Sequence, residues 1–307
     1  MKVEFKTKDI GVETDEHVIV NGSMHGEKYW DRAWSLVDGC TPVSEACDNC
    51  WLAAMELRFN KCSGLLQVID GVRQPRFSGH IICREDRLDI PLKTRKPTVW
   101  AIWSDLFHEK VPFKFIDAVF TVMKLQPHHT FLALTKRTFR AQHYIFGDKT
   151  PDNIYIGTTV ENQEQADRRI PHLLQVPGNK FLSIEPCLSK IDLTPYLISD
   201  KPQGREPEEQ PSSINAVILG GESGHGARPM HPDWVRSVRD QCAAAGVLFF
   251  FKQWGEWVTL DNMPFLTFRH PPKTAKFKGI FKRVGKKAAG RILDGRTHDE
   301  LPWGQKI

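Results

Sequence analysis

Three cysteines, Cys40, Cys47 and Cys50, stand close together at the spacing C-x6-C-x2-C, in the stretch Asp38-Gly39-Cys40-Thr41-Pro42-Val43-Ser44-Glu45-Ala46-Cys47-Asp48-Asn49-Cys50-Trp51. The remaining four, Cys62, Cys83, Cys187 and Cys242, are isolated in the sequence and read as ordinary small buried residues. Three thiols so near one another suit two kinds of metal. A structural zinc takes four ligands, usually from two short hairpins, and here it would need a fourth from an isolated residue such as His25 or Cys62. A [4Fe–4S] cluster is ordinarily held by four thiolates; with three, one iron keeps an open position for a substrate or cofactor.

Such a loop acts only on what the neighbouring elements bring to it. It lies between a short apolar approach, AWSLV, and WLAAMELRFNKC, in which apolar residues fall among good helix formers. From Thr98 a rhythm begins. TVWAIWSDLF, TFLALTKR, NIYIGTTVEN, KFLSIEPC, NAVILGGESG and VLFFFKQWGEW are short apolar runs that end in polar residues or glycine. Between most of them lie the helix-like stretches KFIDAVFTVMKL, TFRAQHYIF, QEQADRRIPHLL and PDWVRSVRDQCAAAG. Apolar runs without alternation read as strands buried on both faces, and intervening helices imply parallel crossovers. The expected fold class is α/β, a complete or partial TIM-like (β/α) barrel of about six to seven parallel strands.

In such barrels chemistry gathers at the C-terminal ends of the strands. Those ends carry Asp105 and His108, Lys136 and Arg137, Glu161 and Asn162, Ser183 and Glu185, then Gly220, Gly221, Glu222 and Ser223, and finally Lys252, Gln253 and Trp254. Each has a functional reading and a plain one. Asp105 and His108 are candidate catalytic groups, or they cap a helix and satisfy loop backbone. Lys136, Arg137, Arg228 and Lys252 would grip a phosphate or a base, or they pair with Glu161, Glu185 and Glu222. Gly220 and Gly221 would admit close backbone approach, or they mark a tight turn.

The chain divides by composition into a polar N-terminal extension (1–35), the barrel (36–257) with a Pro-, Glu- and Ser-rich insert expected to be flexible (199–213), and a C-terminal extension (258–307). The net charge of +5 is local. Between Asn262 and Leu293 there are nine basic residues and no acid; taking those nine from the 42 Lys and Arg leaves 33 against 37 Asp and Glu. Phe265, Phe268, Phe277 and Phe281 alternate with those basic residues, which suits a surface that neutralises phosphates and stacks bases, or a solvated flap packed on the barrel. No apolar run reaches the ~18 residues that span a bilayer, and the first residues lack a signal-peptide core, so a soluble, cytoplasmic protein with reduced cysteines is expected.

The motifs GCTPVSEACDNCW, SDLFHEKVPFKFID, ALTKR, VENQEQADRRIPHLL, SIEP, GGESGHGARPMHPDWVRSVRDQC, FFFKQWGEW and GKKAAGRILDGR together resemble a phage-associated family of uncharacterised, radical S-adenosylmethionine (SAM)-like proteins with a three-cysteine motif. The resemblance runs from about Cys40 to Arg296. It implies a partial barrel of the radical SAM type in a phage or bacterial host cell. Cys40, Cys47 and Cys50 would hold a [4Fe–4S] cluster that cleaves SAM to a 5′-deoxyadenosyl radical, fed by an external electron donor. By position, Trp51, Glu161, Asn162, Ser183, Glu185, Gly220, Gly221, Glu222 and Ser223 become candidates for binding SAM, and Asp105, His108, Lys136, Arg228 and Lys252 for acting on a substrate. Two departures stand out: the common loop is CxxxCxxC, three residues shorter in its first gap, and Trp51 stands where relatives tend to carry Tyr. The substrate expected is a nucleobase or nucleotide in DNA, with modification, rearrangement or lesion reversal all open. A reading from another class is a non-catalytic nucleic-acid-binding protein whose cysteines hold zinc.

Overall fold

The structure, a computed structural model, describes residues 28–59, 64–67, 75–145, 147, 150–197, 213–259, 276–278 and 280–303. Its main body is one sheet of seven parallel strands: β1 (Arg32–Trp34), β2 (Val99–Ile102), β3 (Thr130–Thr135), β4 (Ile154–Thr159), β5 (Asn179–Ile184), β6 (Ala216–Gly220) and β7 (Leu248–Gln253). Each strand pairs with the next in sequence, and β1 and β7 are not paired with each other, so the sheet is a half-barrel. The expected fold class is the observed one.

The strands read as unbroken apolar runs because both faces are covered. Alternate residues, Trp100 and Ile102, Phe131 and Ala133, Ile154 and Ile156, Leu182 and Ile184, Val217 and Leu219, join the larger core with the helices. The residues between them, Leu132, Tyr155, Phe181, Ala216, Ile218 and Phe250, form a second cluster on the concave face. Gly157 makes room in that inner layer, since a Cβ there would lie 2.4 Å from the ring of Phe181. Trp303 closes the layer from below: its ring packs edge-on against Tyr155 and Phe181, and its Nε1 donates to the carbonyl of Tyr29 at 2.9 Å.

The crossovers are α2 (Phe113–Leu125), α3 (Thr138–Tyr144), α4 (Gln163–Leu174) and α5 (Pro232–Ala245), and α1 (Trp51–Phe59) follows the cysteine loop. Packing holds α2: Pro112 gives it no side-chain cap, whereas Phe115, Ile116, Val119, Phe120, Val122 and Met123 are buried, at roughly 1.5–3 kcal/mol for each large side chain. α4 starts on Asn162, whose Oδ1 accepts from the Gln165 N–H at 2.9 Å. α5 has Pro232 in its first turn and ends on Gly246 at φ +67°, the left-handed conformation that glycine adopts without cost.

Several element boundaries differ from the sequence reading. The first barrel strand begins at Arg32, inside residues 1–35, and Val37–Asp38 instead pairs antiparallel with Ile82–Cys83. The run VLFFFKQWGEW is broken at Gly255, φ +84°, where a Cβ would lie 2.2 Å from the Glu222 carbonyl oxygen. Beyond that turn Trp257–Thr259 enters a separate three-stranded sheet with Phe281–Arg283 and Lys276–Lys278. Cys62, His25, Phe265, Phe268, Arg269, Lys273 and all of the 199–213 insert except Ser213 lie outside the described residues.

Candidate active site

The cysteine loop lies across the C-terminal ends of the strands, fastened there by residues from four of them. After β2, His108 accepts the Lys110 N–H on Nδ1 (3.1 Å), which leaves Nε2 as the protonated nitrogen, donating to Thr41 Oγ1 at 2.8 Å. After β3, Arg137 donates to the Thr41 carbonyl (3.2 Å), to Asp105 Oδ2 (2.8 Å) and to both oxygens of Glu109. After β4, Asn162 donates to Glu45 Oε1 at 2.6 Å. After β6, Glu222 accepts from Asn49 Nδ2 (3.0 Å), and Arg228 donates to the Glu45 carbonyl (3.0 Å). Gly39 and Gly226 allow the close fit: a Cβ at Gly39 would meet the His80 carbonyl oxygen at 2.0 Å, and one at Gly226 the Asn49 side chain at 2.2 Å.

The three thiols are free and half-buried. Burial pushes Cys40 up to about 11, with Asp105 adding to the rise and Arg137 and Lys136 opposing it. Burial also raises Cys50, while the Ala53 backbone N–H, Lys136 and the Leu52 N–H, two of them at the start of α1, pull it down. Cys47 raises both of the others, so the three lie within electrostatic reach of one another. A thiol set of this kind is short of positive charge, and a bound metal supplies it. Among the described residues no three His, Cys, Asp or Glu side chains converge on a point where a single ion would sit. In a cluster each thiolate binds its own iron, so convergence on one point is not required. By its chemistry, three free thiols on one loop, the donor set is of the kind that holds a cluster with one iron left open.

The acids and bases of the rim are largely paired. Asp105 Oδ1 accepts from Thr135 Oγ1 (2.6 Å) and the Phe107 N–H (3.1 Å), and Oδ2 from Arg137 and the Lys136 N–H. Glu222 is held by Arg228 through Nε (2.9 Å), NH2 (2.7 Å) and its backbone N–H (2.8 Å). Lys252 Nζ lies 2.8 Å from Glu185 Oε1. Glu161 pairs with Arg169 at 2.9 Å, and neither is reached by solvent to any extent. Asp105, His108, Arg228, Lys252, Asn162 and Glu222 thus each have a positioning contact, the plainer of the two readings available from sequence. The space beside Gly220 is taken by the Glu185 carboxylate, 2.9 Å from a Cβ built there, and that beside Gly221 by the Trp254 carbonyl, at 1.9 Å.

Other groups are less committed. Lys136 continues the inward alternation of Leu132 and Leu134, its field falls on Cys40 and Cys50, and its ammonium has no ion pair among the described residues. Glu161 Oε1 is buried with no hydrogen-bond partner. Ser183 is buried on the concave face and Ser223 half-buried; neither hydroxyl has a hydrogen bond among the described residues. Trp51 is 52 % exposed and meets Trp103 edge-on.

Arg169 was not singled out from sequence. The signal was present: Ala166, Arg169, Ile170 and Leu173 share one face of α4, and an arginine on an otherwise apolar face needs a buried acid. Trp103, directly after β2, gives no polar signal among the strand ends, although its ring bridges Trp30 and Trp51.

A family described as "Protein of unknown function (DUF5131)" matches residues 26–302. No curated protein matches the chain. Among solved structures the chain is similar to spore photoproduct lyase complexed with dinucleoside spore photoproduct, at a TM-score of 0.35 and 11 % identity over 82 % of this chain and 68 % of that one.

Proposed function

The chain belongs to the DUF5131 family of proteins of unknown function, and we propose that it is a radical SAM enzyme whose Cys40, Cys47 and Cys50 hold a [4Fe–4S] cluster. The observation that carries this reading is the fastening of a three-thiol loop to the ends of β2, β3, β4 and β6, at the end of a parallel half-barrel where such folds do chemistry. Such a cluster, with one iron free of protein ligands, supplies the electron that cleaves SAM into methionine and a 5′-deoxyadenosyl radical.

The protein's own part is to bind, orient and exclude water. Glu161 Oε1, buried and lacking a donor, suits an ammonium group. The free hydroxyls of Ser183 and Ser223 suit ribose or carboxylate oxygens. Glu185, fixed by Lys252, closes over Gly220, and Glu222, fixed by Arg228, holds Asn49 of the cysteine loop. The apolar inner layer of the concave face excludes water beneath the rim.

For the substrate we propose a nucleobase in nucleic acid. Arg283 ties the three-stranded sheet to the rim by donating to the carbonyls of Gly224 (2.6 Å) and His225 (2.9 Å), and Phe281 packs against His231. The basic segment that includes Lys282, Lys286 and Lys287 is thereby brought beside the loop that follows β6, where it can meet phosphates. Anaerobic reconstitution tests the cluster. The expected product is a brown protein with about four irons per chain that forms 5′-deoxyadenosine from SAM under a low-potential reductant. A colourless protein that binds one zinc instead would refute the reading, and so would a Cys47→Ala variant that keeps iron and SAM cleavage.

A further inference from the structure

Three indoles climb one wall of the half-barrel. Trp30, just before the edge strand β1, packs against the concave cluster. Its ring meets Trp103, which follows β2, at 5.8 Å and 87°; Trp103 in turn meets Trp51, directly after Cys50, at 5.1 Å and 81°. Both contacts are perpendicular, and Lys28 lies over the Trp30 ring at 5.0 Å. Trp51 remains half exposed at the lip, beside the thiols. A continuous aromatic wall leading from solvent to the inner layer is more than core packing requires.

The charges around this wall choose the ligand. Asp105, Glu161, Glu185 and Glu222 each already hold a cation, in Arg137, Arg169, Lys252 and Arg228 respectively. Among the described rim residues this leaves the Lys136 ammonium without an ion pair, a cation available to an anionic group next to flat apolar faces. A ligand that matches both is planar and carries an anion on a short tether.

We propose that Trp51, Trp103 and Trp30 form a stacking wall that takes an unpaired nucleobase of a nucleic acid into the open end of the half-barrel, with Lys136 meeting the adjoining phosphate. The proposal rests on the substrate class given above and names the residues that receive it. Base–aromatic stacking tolerates any base, so the wall selects for an unstacked base rather than for a sequence.

The test compares a fluorescein-labelled thymidine 12-mer with an abasic deoxyribose-phosphate 12-mer of equal charge, binding to the full-length protein. The wild type should bind the thymidine strand about 10-fold or more tightly than the abasic one, as stacking of one or two bases requires. Trp51→Ala should reduce that preference to below about 3-fold, Trp51→Phe should keep most of it, and the dependence of binding on salt should be the same in all three. An equal affinity of the wild type for both strands, an undiminished preference in Trp51→Ala, or an aromatic peptide displacing the thymidine strand at lower concentration would each overturn the wall. Iron content and 5′-deoxyadenosine formation, measured on the same wild-type preparation, keep the two ideas apart. An iron-loaded, SAM-cleaving protein indifferent to bases removes the wall alone, and an iron-free protein that prefers bases removes the enzymatic reading alone.

Discussion

Replacing Arg137 by Met should loosen the cysteine loop at its Cys40 end, leaving its other fastenings to β2, β4 and β6 in place. The guanidinium joins three things at once: the Asp105 carboxylate, the exposed Glu109 carboxylate and the Thr41 carbonyl beside Cys40. Breaking a buried ion pair by removing one partner costs about 3–5 kcal/mol. Asp105 retains the Thr135 hydroxyl and the Phe107 and Lys136 N–H groups, which places this case near the lower end, about 3 kcal/mol, or roughly 150-fold in the folding equilibrium. Glu109 adds less than about 1 kcal/mol because solvent screens it. Urea unfolding of the full-length chain measures the loss, and iron bound after reconstitution measures its effect on the loop. Arg137→Lys should recover less than half, since one ammonium cannot span Asp105 and Thr41 together. Adding Asp105→Asn to Arg137→Met should recover part of the stability, by removing the stranded charge, without restoring iron. A cost below about 1 kcal/mol for Arg137→Met, or full recovery by Lys, would refute the reasoning.

Gly221→Ala should destabilise by at least about 1–3 kcal/mol, because the new methyl would sit 1.9 Å from the Trp254 carbonyl oxygen; the urea midpoint reads it. Acid should weaken the fold through His108, His129 and His298, whose folded-state values are all lowered, first by burial. A histidine lowered on folding binds fewer protons in the native state, so stability is complete above the unfolded value of about 6.5 and is lost as pH falls from there toward the folded value. Unfolding followed from pH 7.5 to pH 5 should show that slope, and His108→Gln should flatten it. Lys286→Ala with Lys287→Ala should lower the slope of log Kd against log salt for a single-stranded oligonucleotide by about 1–1.5 while leaving SAM cleavage intact, and an unchanged slope would remove these two lysines from the binding surface.

The barrel was legible because its strands are covered on both sides, which turns each into an unbroken apolar run that a solvent-facing sheet would not show. The short first strand was less so: three residues, Arg32–Trp34, carry too little pattern to separate from the approach to the cysteines. The cysteine loop was visible as a spacing, but its fastening was not, since Thr41 with His108 and Asn49 with Glu222 join residues 67 and 173 positions apart. The polar residues read at strand ends do stand at or just after the ends of the strands, and alternation then separates them: it turns Lys136 inward with Leu134 and leaves its neighbour Arg137 to Asp105. Pairings such as Glu161 with Arg169 depend on how a helix face turns toward a strand end, which sequence states only as an arginine among apolar neighbours.

The hydrogen bond from Trp303 to Tyr29 spans 274 positions and seals the underside of the half-barrel. During synthesis the strands emerge long before the residue that closes beneath them, so Tyr155 and Phe181 stay uncovered on that side until after the last strand, ending at Gln253, has been made. Completion of the inner layer is thus a late event in the life of the chain, and a product cut short before Trp303 would carry a formed sheet with an unsealed apolar hollow, a natural target for chaperones and proteases.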